Sequence, residues 1–229
     1  MKRVIVIFFL ITMSYAVAQT KTAILINSGL NVPISSEYFS KYWGASYNLG
    51  GGVEMSFNPQ LSVLGYIDYS KFSLDVAKAL NGLKQNDSRA VTGSGGNINF
   101  LNFNVNIKYR FVEQASQKTF FYILGGIGYA NVSASDLALT GNRNVGTLTV
   151  ESIGAFSLNT GLGGEFAVSQ TISIFADARF IFAFTSGSIV KYSNPENISG
   201  RDLEKNGSYI LDYNTGYVPL RLGVSYKLP

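Results

Sequence analysis

The 229-residue sequence contains no cysteine, no histidine and a single tryptophan. Without cysteine, no disulfide framework and no thiolate metal site can support the fold. Without histidine, the common zinc sites, Ser-His-Asp triads and histidine general bases are excluded. Charge is also scarce: 18 basic and 14 acidic residues give a formal net charge of +4, which does not indicate nucleic-acid binding. Beyond the first 20 residues no apolar run reaches 18 residues, so no membrane-spanning helix is predicted.

The N-terminus has the three parts of a secretory signal peptide. Met1-Lys2-Arg3 is basic, an apolar run begins at Val4, and Ala16-Val17-Ala18 has the small-x-small pattern of a cleavage site. The alternative is an N-terminal membrane anchor, for which the apolar run is short. We therefore predict a signal peptide over residues 1–18 and one barrel domain over residues 19–229.

What the sequence has in abundance is glycine and aromatic residues: 24 glycines, 14 tyrosines and 16 phenylalanines. Combined with apolar residues that recur every second position, this composition predicts β-structure. Eight strands are predicted, over residues 22–32, 45–57, 61–72, 98–112, 119–133, 150–167, 171–186 and 214–228. The facing of the fifth stays open, because Phe120-Phe121-Tyr122 interrupts the alternation.

The connections between these strands are alternately short and long. Asn58-Pro59-Gln60 is a short one, and the segments 75–97 and 187–213 are long and polar. A meander with short turns at one end and long loops at the other is typical of outer-membrane barrels, whereas a Greek-key sandwich would not sort its loops in this way. The Gly- and Ser-rich segment 92–97 is predicted to be a flexible loop tip.

Most of the predicted strands have one apolar face, and aromatic residues recur near its short-turn end and near its long-loop end. Tyr47 and Phe57 are ten residues apart, which at a ~40° tilt corresponds to roughly 25 Å along a barrel axis, the height of an apolar membrane band. Aromatic side chains inside a soluble sandwich would have no reason to form two belts. The predicted belts comprise Tyr47, Phe57, Tyr69, Phe111, Phe156, Phe166, Phe184 and Tyr226.

The opposite face of the strands carries charged residues of both signs. These residues are Glu54, Asp68, Lys108, Arg110, Glu165, Asp177, Arg179, Arg221 and Lys227. A basic side chain facing lipid at mid-depth would cost ~2–4 kcal/mol, and a soluble barrel would have the reverse arrangement, so the charges are predicted to face the lumen. We predict that they close it in two tiers. Asp177–Arg221 is the predicted ion pair, because the seventh and eighth strands are neighbours.

With this architecture the chain resembles the small eight-stranded outer-membrane barrels of the OmpA/OmpX type. Its last strand also looks like the C-terminal recognition strand of such proteins, with Arg221, Gly223, Tyr226 and Leu228 at the matching places. Such strands usually finish in phenylalanine, whereas this sequence finishes in Leu228-Pro229. The resemblance implies an all-β, antiparallel up-and-down transmembrane barrel in the cell outer membrane. It also implies recognition by the barrel-assembly machinery during biogenesis.

Function is less constrained than architecture. Lipid A-modifying barrel enzymes and outer-membrane proteases resemble each other in needing a histidine, and Asp68 and Asp177 are better explained as partners of lumen arginines than as a glycosidase pair. We therefore predict a non-enzymatic, monomeric protein without cofactor, whose expected partners are outer-membrane lipid and an extracellular ligand of the loops, with no nucleic acid. The predicted role is structural or one of cell-surface interaction. A small-solute or lipid transport barrel is the alternative, followed by a periplasmic ligand-binding barrel or an envelope enzyme.

Overall fold

The computed structural model describes residues 21–35, 37–78, 91–112, 118–141, 146–150, 152–185, 190–192 and 214–229. The predicted signal peptide lies outside these residues. In chain order the elements are β1 (Lys21–Ser35), α1 (Glu37–Tyr42), β2 (Ser46–Ser56), β3 (Leu61–Ser73), β4 (Val91–Gly95), β5 (Asn97–Phe111), β6 (Thr119–Ala134), β7 (Leu137–Gly141), β8 (Gly146–Val150), β9 (Ile153–Ala167), β10 (Ile172–Phe184), β11 (Val190–Tyr192) and β12 (Thr215–Lys227).

Eight long antiparallel strands close into a barrel in the order β1-β12-β10-β9-β6-β5-β3-β2. Each of these eight strands pairs with the barrel strand before it and the barrel strand after it along the chain. The first, β1, closes the barrel by pairing with both β2 and β12. Closure leaves no free edge among these eight strands, as a sheet within hydrocarbon requires. The predicted fold class, an eight-stranded up-and-down barrel, is confirmed.

The outer wall of the barrel is apolar and its interior is polar over most of the barrel height. On β5, Phe103, Val105 and Ile107 are exposed, whereas the intervening asparagines are buried. On β6, whose facing the sequence left open, Tyr122 and Leu124 point inward, and the residues between and beside them point outward. No helix among the described residues is long and apolar enough to cross a membrane.

Two of the short turns are fixed by side-chain caps. The Asn58 Oδ1 atom accepts hydrogen bonds from the backbone N–H groups of Gln60 and Leu61, at 2.9 and 2.7 Å. The Ser169 Oγ atom accepts from the backbone N–H groups of Thr171 and Ile172 in the same way, at 3.2 and 3.0 Å. Such local side-chain bonds hold a turn in one conformation and thereby fix the register of the hairpin. The third short connection includes residues 113–117, which are outside the described part of the chain.

The long loops contribute a second, smaller sheet with the strand order β11-β8-β7-β4. The prediction of a flexible tip at residues 92–97 is therefore wrong, because residues 92–95 belong to β4, which pairs with β7, and Asn97 begins β5. Gly95 and Gly96 have φ angles of 97° and 77°, and this left-handed backbone redirects the chain between β4 and β5. The sixth predicted strand also begins too early, because Val150 belongs to β8 and β9 begins at Ile153.

Candidate functional site: the barrel lumen and its long-loop end

The first group of lumen charges lies near the short-turn end, and we call it the lower cluster: Glu54, Lys108, Arg110 and Glu165. The Lys108 Nζ atom lies 3.1 Å from Glu54 Oε2 and 2.8 Å from Glu165 Oε2. Arg110 pairs with Glu54, and its Nε atom lies 3.8 Å from Glu165 Oε2. These side chains come from β2, β5 and β9, so the cluster ties separate parts of the barrel wall together across the lumen.

The second group, the middle cluster, comprises Asp68, Asp177, Arg179 and Arg221. Arg221 donates from Nε and Nη2 to the two carboxylate oxygens of Asp177, at 2.8 and 2.9 Å. Its Nη1 atom also donates to both oxygens of Asp68, at 3.2 and 3.3 Å. Arg179 Nη2 lies 3.2 Å from Asp177 Oδ2. The Asp177–Arg221 contact follows from strand pairing, because these residues lie opposite each other on β10 and β12.

Two inward-facing tyrosines connect these charges, and the sequence did not single out either. The Tyr66 ring lies between two guanidinium groups, with the Arg179 and Arg221 Cζ atoms 4.8 and 4.9 Å from its centroid. The Tyr122 ring centroid lies 4.2 Å from Lys108 Nζ, and its hydroxyl donates to Asp177 Oδ2 at 3.1 Å. Tyr122 therefore contacts the lower and middle clusters at once, through its ring and its hydroxyl.

The remaining predicted charge, Lys227, lies apart from both clusters. It is only half-buried, at the short-turn end of β12 opposite Ala23 of β1. The other eight predicted lumen charges are all buried. In each cluster two carboxylates face two cations, so each cluster is formally neutral.

The long-loop end of the lumen is apolar and aromatic rather than ionic. Phe39 and Tyr42 of α1, with the following Trp43, enter the mouth of the barrel and are almost fully buried. The Phe39 ring centroid is 5.0 Å from that of Phe72, which in turn is 5.2 Å from that of Tyr217 on the far wall. We call this group, with Phe100, the aromatic cap. It packs as a small hydrophobic core and fills the lumen at this level.

The eight residues predicted to form aromatic belts all lie on the outer wall, with exposures between 37% and 54%. Those nearest the short turns are Phe57, Phe111, Phe166 and Tyr226, and those nearest the long loops are Tyr47, Tyr69, Phe156 and Phe184. The apolar residues between them are exposed as well, for example Val105 and Leu162. This outer wall has the composition of a surface solvated by lipid.

The residues of the predicted assembly motif divide between the two faces of β12. Arg221 and Gly223 point into the lumen, whereas Tyr226 and Leu228 are exposed on the outer side. Leu228 donates its backbone N–H to the Thr22 carbonyl at 2.8 Å, so the end of the chain is held against β1. Packing also explains the glycine at position 223, because a Cβ atom on Gly223 would clash with the Phe175 ring.

Chemistry beyond charge pairing finds no support in the described residues. No group of three or more Asp or Glu side chains in that part of the chain is placed to hold a metal ion. Asp68 and Asp177 are both engaged by Arg221, as expected of structural ion pairs.

The fold is similar to those of known outer-membrane proteins. No protein-family model and no curated protein sequence matches the chain. Among solved structures, the outer membrane protein OprG from Pseudomonas aeruginosa is similar with a TM-score of 0.55 and 12% identity over 90% of this chain and 95% of that one. A major outer membrane protein from Thermus thermophilus has a TM-score of 0.51 and 13% identity, over 92% and 100% of the two chains. Neisserial surface protein A has a TM-score of 0.50 and 12% identity, over 91% and 96%. The fold is that of the small outer-membrane β-barrels, and the lipid-facing wall described above suits that membrane.

Proposed function

We propose that this protein is a closed outer-membrane scaffold that presents folded loops for a structural or cell-surface interaction role. The observation that carries the proposal is the filling of the lumen at three successive levels. The lower cluster, the middle cluster and the aromatic cap each span the interior from wall to wall. An eight-stranded barrel has an interior just wide enough for side chains to fill, which argues against the alternative role in solute transport.

The loops support the same proposal, because their described parts are folded. The connection between β1 and β2 forms α1 and enters the barrel mouth, while β4, β7, β8 and β11 join the other three long loops into one sheet. Binding surfaces on rigid supports lose less conformational entropy when a partner binds. A loop sheet on a closed barrel is thus well suited to offer a rigid binding surface to an extracellular ligand.

Biogenesis belongs to the same proposal. We expect residues 1–18 to be removed on export, and Arg221, Gly223, Tyr226 and Leu228 to be recognised by the barrel-assembly machinery. Since Arg221 also holds the middle cluster and Gly223 makes room for Phe175, Tyr226 and Leu228 are the positions at which assembly can be tested separately. Tyr226→Ala should slow insertion in cells while leaving refolding in detergent intact.

Two measurements test the proposed function. Protease added to intact cells should cut only in the long loops, and cleavage at the Asn58 turn should require a permeabilised outer membrane. The purified protein in planar bilayers should give no steady conductance of porin size. Large stable channels would contradict the closed scaffold and favour transport, and a protein released from cells without detergent would favour a periplasmic location.

A further inference from the structure

Near the long-loop ends of β3, β5 and β6 the polarity of the two strand faces is reversed. The inward face becomes apolar there, and the outward face becomes polar. Lower on the strands, Ile67 and Phe103 are exposed on the outside while Asp68 and Asn102 are buried inside. Higher up, the buried inward residues are apolar, namely Phe72, Ile98 and Phe100. Apart from Tyr69 and Leu101, which share a row with Asn131, the outward residues at that level are polar: Lys71, Ser73, Asn97, Asn99, Asn131 and Ser133. We call these six residues the polar flank.

Strand register brings the polar flank together on the outer wall. Lys71 lies opposite Asn99, which lies opposite Ser133. Ser73 lies opposite Asn97 in the next row. Three strands and two to three rows of outward residues give a patch of about 10 Å by 13 Å, close to the size of a disaccharide.

Hydrogen bonds orient the amides of the flank. The Tyr69 hydroxyl donates to Asn99 Oδ1 at 2.8 Å, and the Ser73 hydroxyl donates to Asn97 Oδ1 at 2.9 Å. Each of these bonds engages the amide oxygen, so each Nδ2 group is directed away from its hydroxyl partner. The flank thus offers oriented amide donors, hydroxyl groups and one ammonium group.

Within the described part of the chain, the flank occupies one side of the barrel. It lies directly above Tyr69 and Tyr129, two exposed aromatic residues of the kind that mark a membrane interface. On the opposite side, near the ends of β1 and β10, the outward residues Ile34 and Phe184 are exposed and apolar. The flank therefore lies at the height of the lipid headgroups, in continuity with the lipid-facing wall.

We propose that the polar flank binds the sugar-phosphate headgroup of a glycolipid in the outer leaflet. Amides and hydroxyls match the donors and acceptors of sugar rings, the Lys71 ammonium matches a phosphate, and tyrosine rings at the lower edge can pack on the apolar side of a sugar. A headgroup, rather than a free saccharide, is the occupant because the acyl chains of such a lipid would cover the apolar wall immediately below.

The test uses the full-length mature protein in phospholipid nanodiscs, titrated with rough-type lipopolysaccharide and followed by native mass spectrometry. Lys71→Gln combined with Asn99→Ala should weaken binding on the order of tenfold, since a charge-assisted hydrogen bond is lost. Lys41→Gln is the matched control, because it removes an exposed lysine at the same end, on α1, and should leave binding unchanged. Unboiled gel migration shows that each variant is folded.

Three outcomes overturn the proposal. The first is equal binding by the double variant and the natural protein. The second is equally tight binding of the deacylated core oligosaccharide, which identifies a solution ligand. The third is cross-linking of a reagent placed at Ser133 to a second copy of the chain, which identifies the flank as a protein interface.

Discussion

Arg221 is the side chain whose removal should damage the barrel most. Its guanidinium makes two hydrogen bonds to Asp177 and two to Asp68, and it is fully buried. Arg221→Ala leaves two carboxylates facing each other inside the barrel with Arg179 as the remaining cation of the middle cluster. Breaking a buried pair by removing one partner costs about 3–5 kcal/mol, and we expect a loss of this size in the free energy of unfolding.

The structure also predicts which second substitution restores stability. Asp177 keeps its contact with Arg179 after Arg221 is removed, whereas the ion pair of Asp68 in the middle cluster is with Arg221. Arg221→Ala/Asp68→Ala should therefore recover more stability than Arg221→Ala/Asp177→Ala, which leaves Arg179 without its carboxylate. Lys227→Ala, on the same strand but half-buried at the rim, is the control and should cost less than about 0.5 kcal/mol.

The assay is urea unfolding in lipid vesicles, followed by unboiled gel migration and by the fluorescence of Trp43, the only tryptophan in the sequence. Unfolding of Arg221→Ala at the same urea concentration as the natural protein would contradict the predicted loss. Equal stability of the two double variants would contradict it as well, because among the described residues Asp177 has a second cation partner and Asp68 does not.

The other predictions concern the turn, the loop sheet and the cap. Asn58→Ala removes the acceptor of two turn hydrogen bonds and should cost about 1 kcal/mol, measured by urea unfolding, with Gln60→Ala as a control. Gly95→Ala forces an alanine to a φ of 97° and drives its Cβ against the Asp136 carbonyl oxygen, so it should expose β4 to protease in intact cells without changing barrel migration on gels. Phe39→Ala should loosen the aromatic cap, shift Trp43 emission to longer wavelength and leave the barrel folded; an unchanged emission maximum would show that α1 does not depend on this contact.

Most of the barrel could be predicted because the alternation of apolar and polar residues is visible within each single strand. A strand in a bilayer shows a period of two, and charges at positions such as Lys108 and Glu165 can face only the lumen. The prediction of a single fold class and of the strand order follows from these two facts. The grouping of the charges into two tiers was also accessible, because counting residues from the short turns gives their approximate height.

What could not be predicted depends on contacts between distant segments. Helix α1 has six residues, too few to show a helical period, and it is held by packing against Phe72 and Phe100. The strands of the loop sheet are three to five residues long and find their partners in other loops. Tyr66 was visible on the polar face of its strand, whereas the facing of Tyr122 was left open, and the contacts of both rings with arginine and lysine depend on the three-dimensional position of the cations.

The balance of charge within the lumen bears on whether the barrel can conduct ions. A conducting pore needs a continuous hydrated path, and a selective one needs an excess of one sign along it. Here each cluster has two carboxylates and two cations, held by short contacts, and the next level is an apolar cap. Such neutral clusters of paired charges produce only a weak electric field to draw an ion inward. Moving one of the groups removes ion pairs from its buried partners, which is costly inside a barrel. The interior is thus arranged to hold the wall in one shape, which leaves the outer surface and the loops as the parts of the molecule available for recognition.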